Sequence, residues 1–235
     1  MLTPVGNPQN LYLYSQYDLA AGDFFRITGP VWVLSLILVL GCCLLLPRGK
    51  QETAPGSSPP VDRKKLILYL ALFLLCLLSV FRVIGWPVLL TVLAATLLVF
   101  DRRRLLEADY LLLLTFVAFF IFSGNLARMG PVDRFLRQML QGREYLTALL
   151  TSQIISNVPA ALLLSGFTEN ARALLLGVDI GGLGTPIASL ASLISLKLYS
   201  HTSGARTGRY LLVFTVINLL LLAVLSAAQL LFDAI

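Results

Sequence analysis

Two apolar stretches carry polar and helix-breaking residues where such a segment should be most regular, and these are the residues that could do chemistry. The first, YLTALLTSQIISNVPAALLLSGFT (145–168), holds Ser156, Asn157, Val158 and Pro159 at its midpoint. The second, 173–196, carries Asp179, Gly181, Gly182, Gly184, Thr185, Pro186 and Ser189 near its middle. Each is 24 residues long, enough to reach across a hydrocarbon core of ~30 Å, and each breaks near mid-depth. A helix interior disfavours Gly by ~1 kcal/mol and Pro by ~3 kcal/mol relative to Ala, and Pro159 should push Val158 out of helical geometry. Unwound backbone at that depth survives only inside protein or against a water-filled cavity. The chemistry it offers is reversible coordination of a solute. Asn157 supplies two N–H donors and a carbonyl without charge. Free N–H groups at helix starts favour an anion by ~0.3–1 kcal/mol each, and by up to ~2 kcal/mol when partly buried. The hydroxyls of Thr185 and Ser189, with unwound carbonyls, suit a hard cation such as sodium. Asp179 is the only carboxylate in the two segments. An acid at the bilayer centre costs ~2.5–3.5 kcal/mol and marks function by default, although a place six residues into its segment equally fits an interfacial helix cap. No Walker motif, triad spacing or metal cluster accompanies these residues, so neither covalent catalysis nor a resident metal or cofactor is expected.

The elements that must position them are membrane helices. The chain has 235 residues, 57% hydrophobic and 13% charged, with mean hydropathy +0.85; a soluble domain is ~25% charged. The fold class is therefore all-α, a polytopic membrane protein. A net charge of +6 needs no nucleic acid, because Lys and Arg collect in cytoplasmic loops. Cys42, Cys43 and Cys76 all lie in apolar runs and promise no disulfide framework. A span is expected over Phe24–Leu46, with Arg26 at its outer edge. Residues 47–65, rich in Pro, Gly and Ser, read as a cytoplasmic linker. Gly85-Trp86-Pro87 divides Leu66–Ile84 from Pro87–Phe100, with Arg82 snorkelling. Tyr110–Leu126 and Tyr210–Phe232 are two further spans, and Asn218 and Gln229 in the latter should bond across helices. Arg128 to Glu144 is amphipathic and should lie in the interface. His201 decorates a polar loop.

Thr3-Pro4-Val5-Gly6 and Thr185-Pro186-Ile187-Ala188 share Thr-Pro, a β-branched residue and a small one. The opening residues carry turn chemistry rather than a signal peptide, so the chain reads as the end of a first repeat followed by a complete second repeat. Its expected regions are 1–46, the end of repeat one; 47–65, the linker; 66–126, scaffold-type helices; and 127–235, the transport region. If 145–168 dips in and returns as a re-entrant hairpin while 173–196 crosses once, 11 Lys/Arg fall on one side and 6 on the other. If 145–168 crosses fully the balance is 9 to 8, and the positive-inside rule prefers the hairpin.

SNVPA in an apolar hairpin followed by DIGGLGTPIASLAS in a broken helix resembles the second half of the ion-transporter superfamily of arsenite permeases, citrate and dicarboxylate–sodium symporters, and a sodium/proton antiporter branch. TPVGNPQN resembles the broken helix that closes the first half of those proteins. The resemblance implies an elevator-type secondary transporter built of inverted repeats, usually a homodimer, in the inner membrane of a prokaryote. By position it implies that Ser156, Asn157 and Pro159 border substrate and coupling ion. Gly181, Gly182, Gly184, Thr185, Pro186 and Ser189 would form the interrupted helix, and Gly6, Asn7, Pro8 and Asn10 its first-half partner. The expected cargo is a small anion, an oxyanion or a carboxylate, coupled to sodium or to a proton, with Asp179 the coupling candidate. Ser-Asn-Val stands where the carboxylate symporters carry Ser-Asn-Thr, which argues against sodium–dicarboxylate symport. Sodium/proton exchange and a non-transporting membrane scaffold are the alternatives.

Overall fold

A computed structural model describes residues 1–45, 62–202 and 204–234. Among these the secondary structure is helical, as long apolar runs without a two-residue alternation dictate. In chain order the helices are α1 (Pro8–Gln16), α2 (Ala21–Leu45), α3 (Arg63–Val80), α4 (Trp86–Phe100), α5 (Arg102–Leu106), α6 (Tyr110–Arg128), α7 (Gly130–Leu140), α8 (Glu144–Ile155), α9 (Asn157–Leu164), α10 (Ala171–Ile180), α11 (Leu190–Ser200) and α12 (Thr207–Ala234). Single 3-10 turns at Pro4–Gly6 and Pro186–Ala188 precede α1 and α11. The chain divides into one unit of Met1–Val39 with Leu111–Ile235, and another of Leu40–Tyr110.

In the first unit α2, α6 and α12 are long and apolar enough to cross a membrane. Their outward leucines and isoleucines, such as Ile37, Leu114 and Leu220, are exposed, as a lipid-facing surface requires. The helices that carry the polar residues are short. At ~1.5 Å per residue, lengths of 9, 12, 8, 10 and 11 residues for α1, α8, α9, α10 and α11 give ~12–18 Å, about half a hydrocarbon core. α8 and α9 form a hairpin whose feet return to one place, where Gln141 and Glu144 share a cleft with Phe167 and Thr168. Tyr17, just past α1, fixes that foot by donating to the carbonyls of Ser165 (3.3 Å) and Thr168 (2.9 Å).

The hairpin packs on α10 through small residues. A Cβ at Gly177 would lie 2.6 Å from the Tyr145 carbonyl oxygen and 2.7 Å from Ala148 Cβ. One at Gly181 would lie 2.9 Å from Leu149 Cα and 3.0 Å from Ser152 Cβ. Gly-x-x-x-Gly on α10 thus meets Ala-x-x-x-Ser on α8, the small-residue seam by which membrane helices approach closely. Val31, Tyr145, Leu149, Leu176, Ile180 and Leu225 close the core around it.

The second unit holds α3, α4 and α5. Asp62 caps α3 by accepting from the Lys64 and Lys65 N–H groups, and Pro87 in the first turn of α4 needs no N–H partner. Asp101, which ends α4, accepts from the Tyr69 hydroxyl at 2.6 Å and pairs with Lys65 at 3.4 Å.

Several sequence expectations shift. Most of the linker expected at 47–65 lies outside the described residues, and its last residues, Arg63 to Lys65, belong to α3. The amphipathic stretch is helical only over Gly130–Leu140, because Arg128 finishes α6 and Gln141–Arg143 turns into α8. Pro159 does not break its segment. It sits in the first turn of α9, where its missing N–H costs nothing, Val158 is helical, and the break is at Ser156. Asn218 bonds back to the Phe214 carbonyl in its own helix at 2.8 Å rather than across to another.

Candidate functional site

α10 ends at Ile180 and the chain unwinds through Gly181 to Thr185 before Pro186 begins the next turn. Gly184 has φ +100°, open to glycine and strained for residues with a Cβ. Unwinding frees main-chain groups, and one side chain answers three of them. Gln153, in the last turn of α8, donates to the carbonyls of Gly181 (2.7 Å) and Leu183 (2.9 Å) and accepts from the Thr185 N–H at 3.0 Å. The Thr185 hydroxyl returns a bond to the Gln153 carbonyl at 3.2 Å.

At the hairpin tip Ser156 takes φ +74° and donates its hydroxyl to the Ala188 carbonyl at 3.3 Å. Asn157, the first residue of α9, is 5% exposed. Its amide lies so close to the unwound backbone that a Cβ on Gly182 would stand 2.7 Å from Asn157 Nδ2. Ser189 then restarts the helix, its hydroxyl accepting from the Ala191 N–H. Ser156, Asn157, Gly181, Gly182, Gly184, Thr185 and Pro186 therefore meet where the hairpin tip touches the break. Ser189 caps α11, and Pro159 turns α9 without entering this network.

Gly6, Asn7 and Pro8 form the first break. Its local course repeats that of the second: Gly6 N–H to Thr3 carbonyl and Ala188 N–H to Thr185 carbonyl are both 3.0 Å. Asn7 (φ −144°, ψ 149°) and Ser189 (φ −144°, ψ 141°) take one conformation before α1 and α11 begin. The next turn reaches α10. Gln9 donates to Asp179 Oδ1 at 3.2 Å, and the fully buried Asn10 amide, which also donates to the Met1 carbonyl, faces the same carboxylate. Asp179 is thus no helix cap. It sits in the last turn of α10, 9% exposed, while Asn170 caps that helix by accepting from the Ala173 N–H. Asp179 Oδ2 and Asn10 Oδ1 are the buried side-chain oxygens left without a hydrogen-bond partner among the described residues. They are the acceptors that could hold a cation.

Three residues that organise this site were not among those singled out in the sequence. Gln153 and Gln9 carried a usable signal, each being an amide in an uncharged stretch a few residues from a break. Gly177 carried one too, four residues before Gly181.

Three helices long and apolar enough to cross a membrane, with short helices, a hairpin and polar breaks joined by side-chain amides between them, form an arrangement that transporters use. The chain belongs to the citrate transporter family, whose model matches residues 1–173. That match takes in the first break and the hairpin, and ends before Asp179 and the second break. Among curated proteins the chain is 36% identical over 226 residues to an uncharacterized transporter of Methanocaldococcus jannaschii, covering 96% of this chain and 61% of that one. It is 32% identical over 206 residues to the inner membrane protein YbiR of Escherichia coli, covering 84% of this chain and 54% of that one. The chain therefore spans a little over half the length of these relatives. No solved structure matches it.

Proposed function

We propose that the chain is the second-repeat portion of a secondary active transporter for a small anion, a carboxylate or an oxyanion, in the plasma membrane. In this reading 145–168 enters and leaves the bilayer as a re-entrant hairpin, 173–196 is a discontinuous transmembrane helix, and Thr3–Asn10 closes an inverted first repeat. The observation that carries it is the Gln153 clamp, which holds uncoiled backbone open beside the buried Asn157 amide. Asn157, the α9 N-terminus and the Gly184 N–H would face the anion with donors and no fixed negative charge, beside the Ser156 hydroxyl that holds the Ala188 carbonyl. Membership of the citrate transporter family supports a carboxylate; the superfamily resemblance extends the choice to arsenite-like oxyanions. A homodimer, with the hairpin and broken helix moving against a scaffold, completes the proposal.

Uptake of labelled citrate and of arsenite into proteoliposomes containing the full chain tests it. Wild type accumulates one of them, and Asn157→Ala abolishes uptake while thermal unfolding in detergent is unchanged. Normal uptake by that variant removes the hairpin tip from the site.

One observation favours a second reading. Asp179 Oδ2 and Asn10 Oδ1 are unpaired and buried between the two interrupted helices, which suits binding and release of a coupling sodium ion or proton, and in the extreme sodium/proton exchange with no anion. Asp179→Asn keeps the shape and removes the charge. It should abolish the dependence of uptake on the ion gradient, and an unchanged pH and sodium dependence would leave Asp179 a structural tie between α1 and α10.

A further inference from the structure

At the loop end of α11 and α12 lies a cleft of about 460 Å³ lined by Tyr199, Arg209, Tyr210, Val213, Phe214 and Ile217, with Asn218 at its far end. It shares no residue with the proposed transport site. Its aromatic wall is fixed by its own contacts. The Tyr199 and Tyr210 rings stack with centroids 4.4 Å apart, and Tyr210 continues onto Phe214 at 5.7 Å. The Tyr210 hydroxyl lies 2.6 Å from Ser195 Oγ, and the Tyr199 hydroxyl accepts from the Arg206 N–H at 3.3 Å, which leaves the Tyr199 proton available to a ligand.

The wall is polar at one end and apolar along its length. Arg209, Val213 and Ile217 follow one another at four-residue steps on α12, so they share a face that descends ~12 Å from the charged end. Val213 and Ile217 remain 44% and 43% exposed. Arg209 is the charged residue of the lining. Lys197 and Arg206 are its basic neighbours in the sequence, which has no Asp or Glu between Asp179 and Asp233. A cation and a phenol above an open apolar track, on a helix end that the positive-inside rule assigns to the cytoplasmic leaflet, match a phosphodiester with an acyl chain beneath it. We propose that this cleft binds one anionic phospholipid, its phosphate at Arg209 and Tyr199 and its acyl chain along Val213, Phe214 and Ile217. Anionic leaflets attract such basic ends, and tyrosines belong at the headgroup level.

The test is native mass spectrometry of the delipidated full chain titrated with dioleoyl phosphatidylglycerol or dioleoyl phosphatidylcholine. One phosphatidylglycerol should be retained with about tenfold preference, the scale of one to two basic contacts. Arg209→Gln should bring the two lipids level, and Val213→Trp, which fills the track, should weaken both. Thermal unfolding of each variant in detergent checks that the fold persists. Equal retention of the two lipids by wild type overturns the proposal, as does an unchanged preference in Arg209→Gln. Full competition by glycerophosphoglycerol, which has the headgroup and no acyl chain, also overturns it by showing a site for a free anion.

Discussion

Replacing Gln153 by Leu removes the three hydrogen bonds that its side chain makes to the break, at the Gly181 carbonyl, the Leu183 carbonyl and the Thr185 N–H. Leu keeps the bulk, so the change isolates polarity. Interhelical side-chain bonds in membrane proteins average ~0.6 kcal/mol each, which puts the loss near ~2 kcal/mol if the freed groups find water. Groups left buried and unpaired cost ~1–3 kcal/mol apiece, which raises it to ~6 kcal/mol if the break stays dry. The Thr185 amide reports the effect directly, since its acceptor is Gln153 Oε1. Hydrogen exchange followed by mass spectrometry should show peptides spanning 181–185 exchanging at least ~10-fold faster, the equivalent of ~1.4 kcal/mol of local stability. Peptides from the first turn of α12, about three turns from Leu222, the α12 residue beside Gly184, should be unchanged. Gln153→Glu serves as a second probe: it keeps an acceptor for Thr185 and turns acceptors toward two carbonyls, so protection should fall as the pH rises and the carboxylate forms. Unaltered protection at 181–185 in a folded Gln153→Leu protein would refute the idea that one amide sustains the break.

Two further outcomes follow from other parts of the molecule. Gly177→Ala places a methyl against the Tyr145 carbonyl and Ala148, so α8 and α10 must separate. Overpacking of that kind costs ~1–3 kcal/mol, and the unfolding temperature should drop, whereas Gly124→Ala, with nothing within 4 Å of the new methyl, should raise it through helix propensity. Tyr69→Phe acts on Asp101, whose carboxyl is held below the usual aspartate value chiefly by the Tyr69 hydroxyl, with Lys65 and Arg104 adding to it and partial desolvation opposing. A carboxyl depressed in the folded state contributes stability that is complete above its unfolded value and lost as the pH falls through its folded value. Without Tyr69 that loss should begin at higher pH, and a carboxyl-carbon NMR titration should find Asp101 closer to an ordinary aspartate. An unmoved titration would mean that the basic neighbours alone set it.

How far the sequence carried this depends on whether a feature is local. The long spans were legible because apolar runs of helix length need no partner to declare themselves, and α2, α6 and α12 lie where the runs do. Ser156-Asn157 and the Gly-rich break were legible because Gly, Pro and a buried Asn are anomalous in such runs. The exact break in the hairpin was not, since Pro159 is the loudest helix-breaker but sits where a helix tolerates it, and Ser156 is an ordinary residue in an uncommon conformation. The environment of Asp179 was equally out of reach. Its partner Gln9 is 170 residues away, and no spacing rule joins the two.

The paired breaks show the same division at closer range. Thr-Pro followed by a β-branched and a small residue fixes a 3-10 turn and one extended residue by local sterics alone, so Thr3–Asn7 and Thr185–Ser189 take one backbone course with matching hydrogen bonds. What distinguishes the copies is what reaches them from elsewhere. The second break is held by Gln153 of α8, whose amide answers the Gly181 and Leu183 carbonyls and the Thr185 N–H. The first sends an amide outward, and Gln9 ends on Asp179 just ahead of the second break. Each break is therefore tied to α10 by amide side chains, one at its unwound end and one at its last helical turn. A change at Asp179 and a change at Gln153 act on opposite ends of the same few residues. Their effects on exchange at 181–185 should consequently be non-additive, which two independent structural defects would not produce.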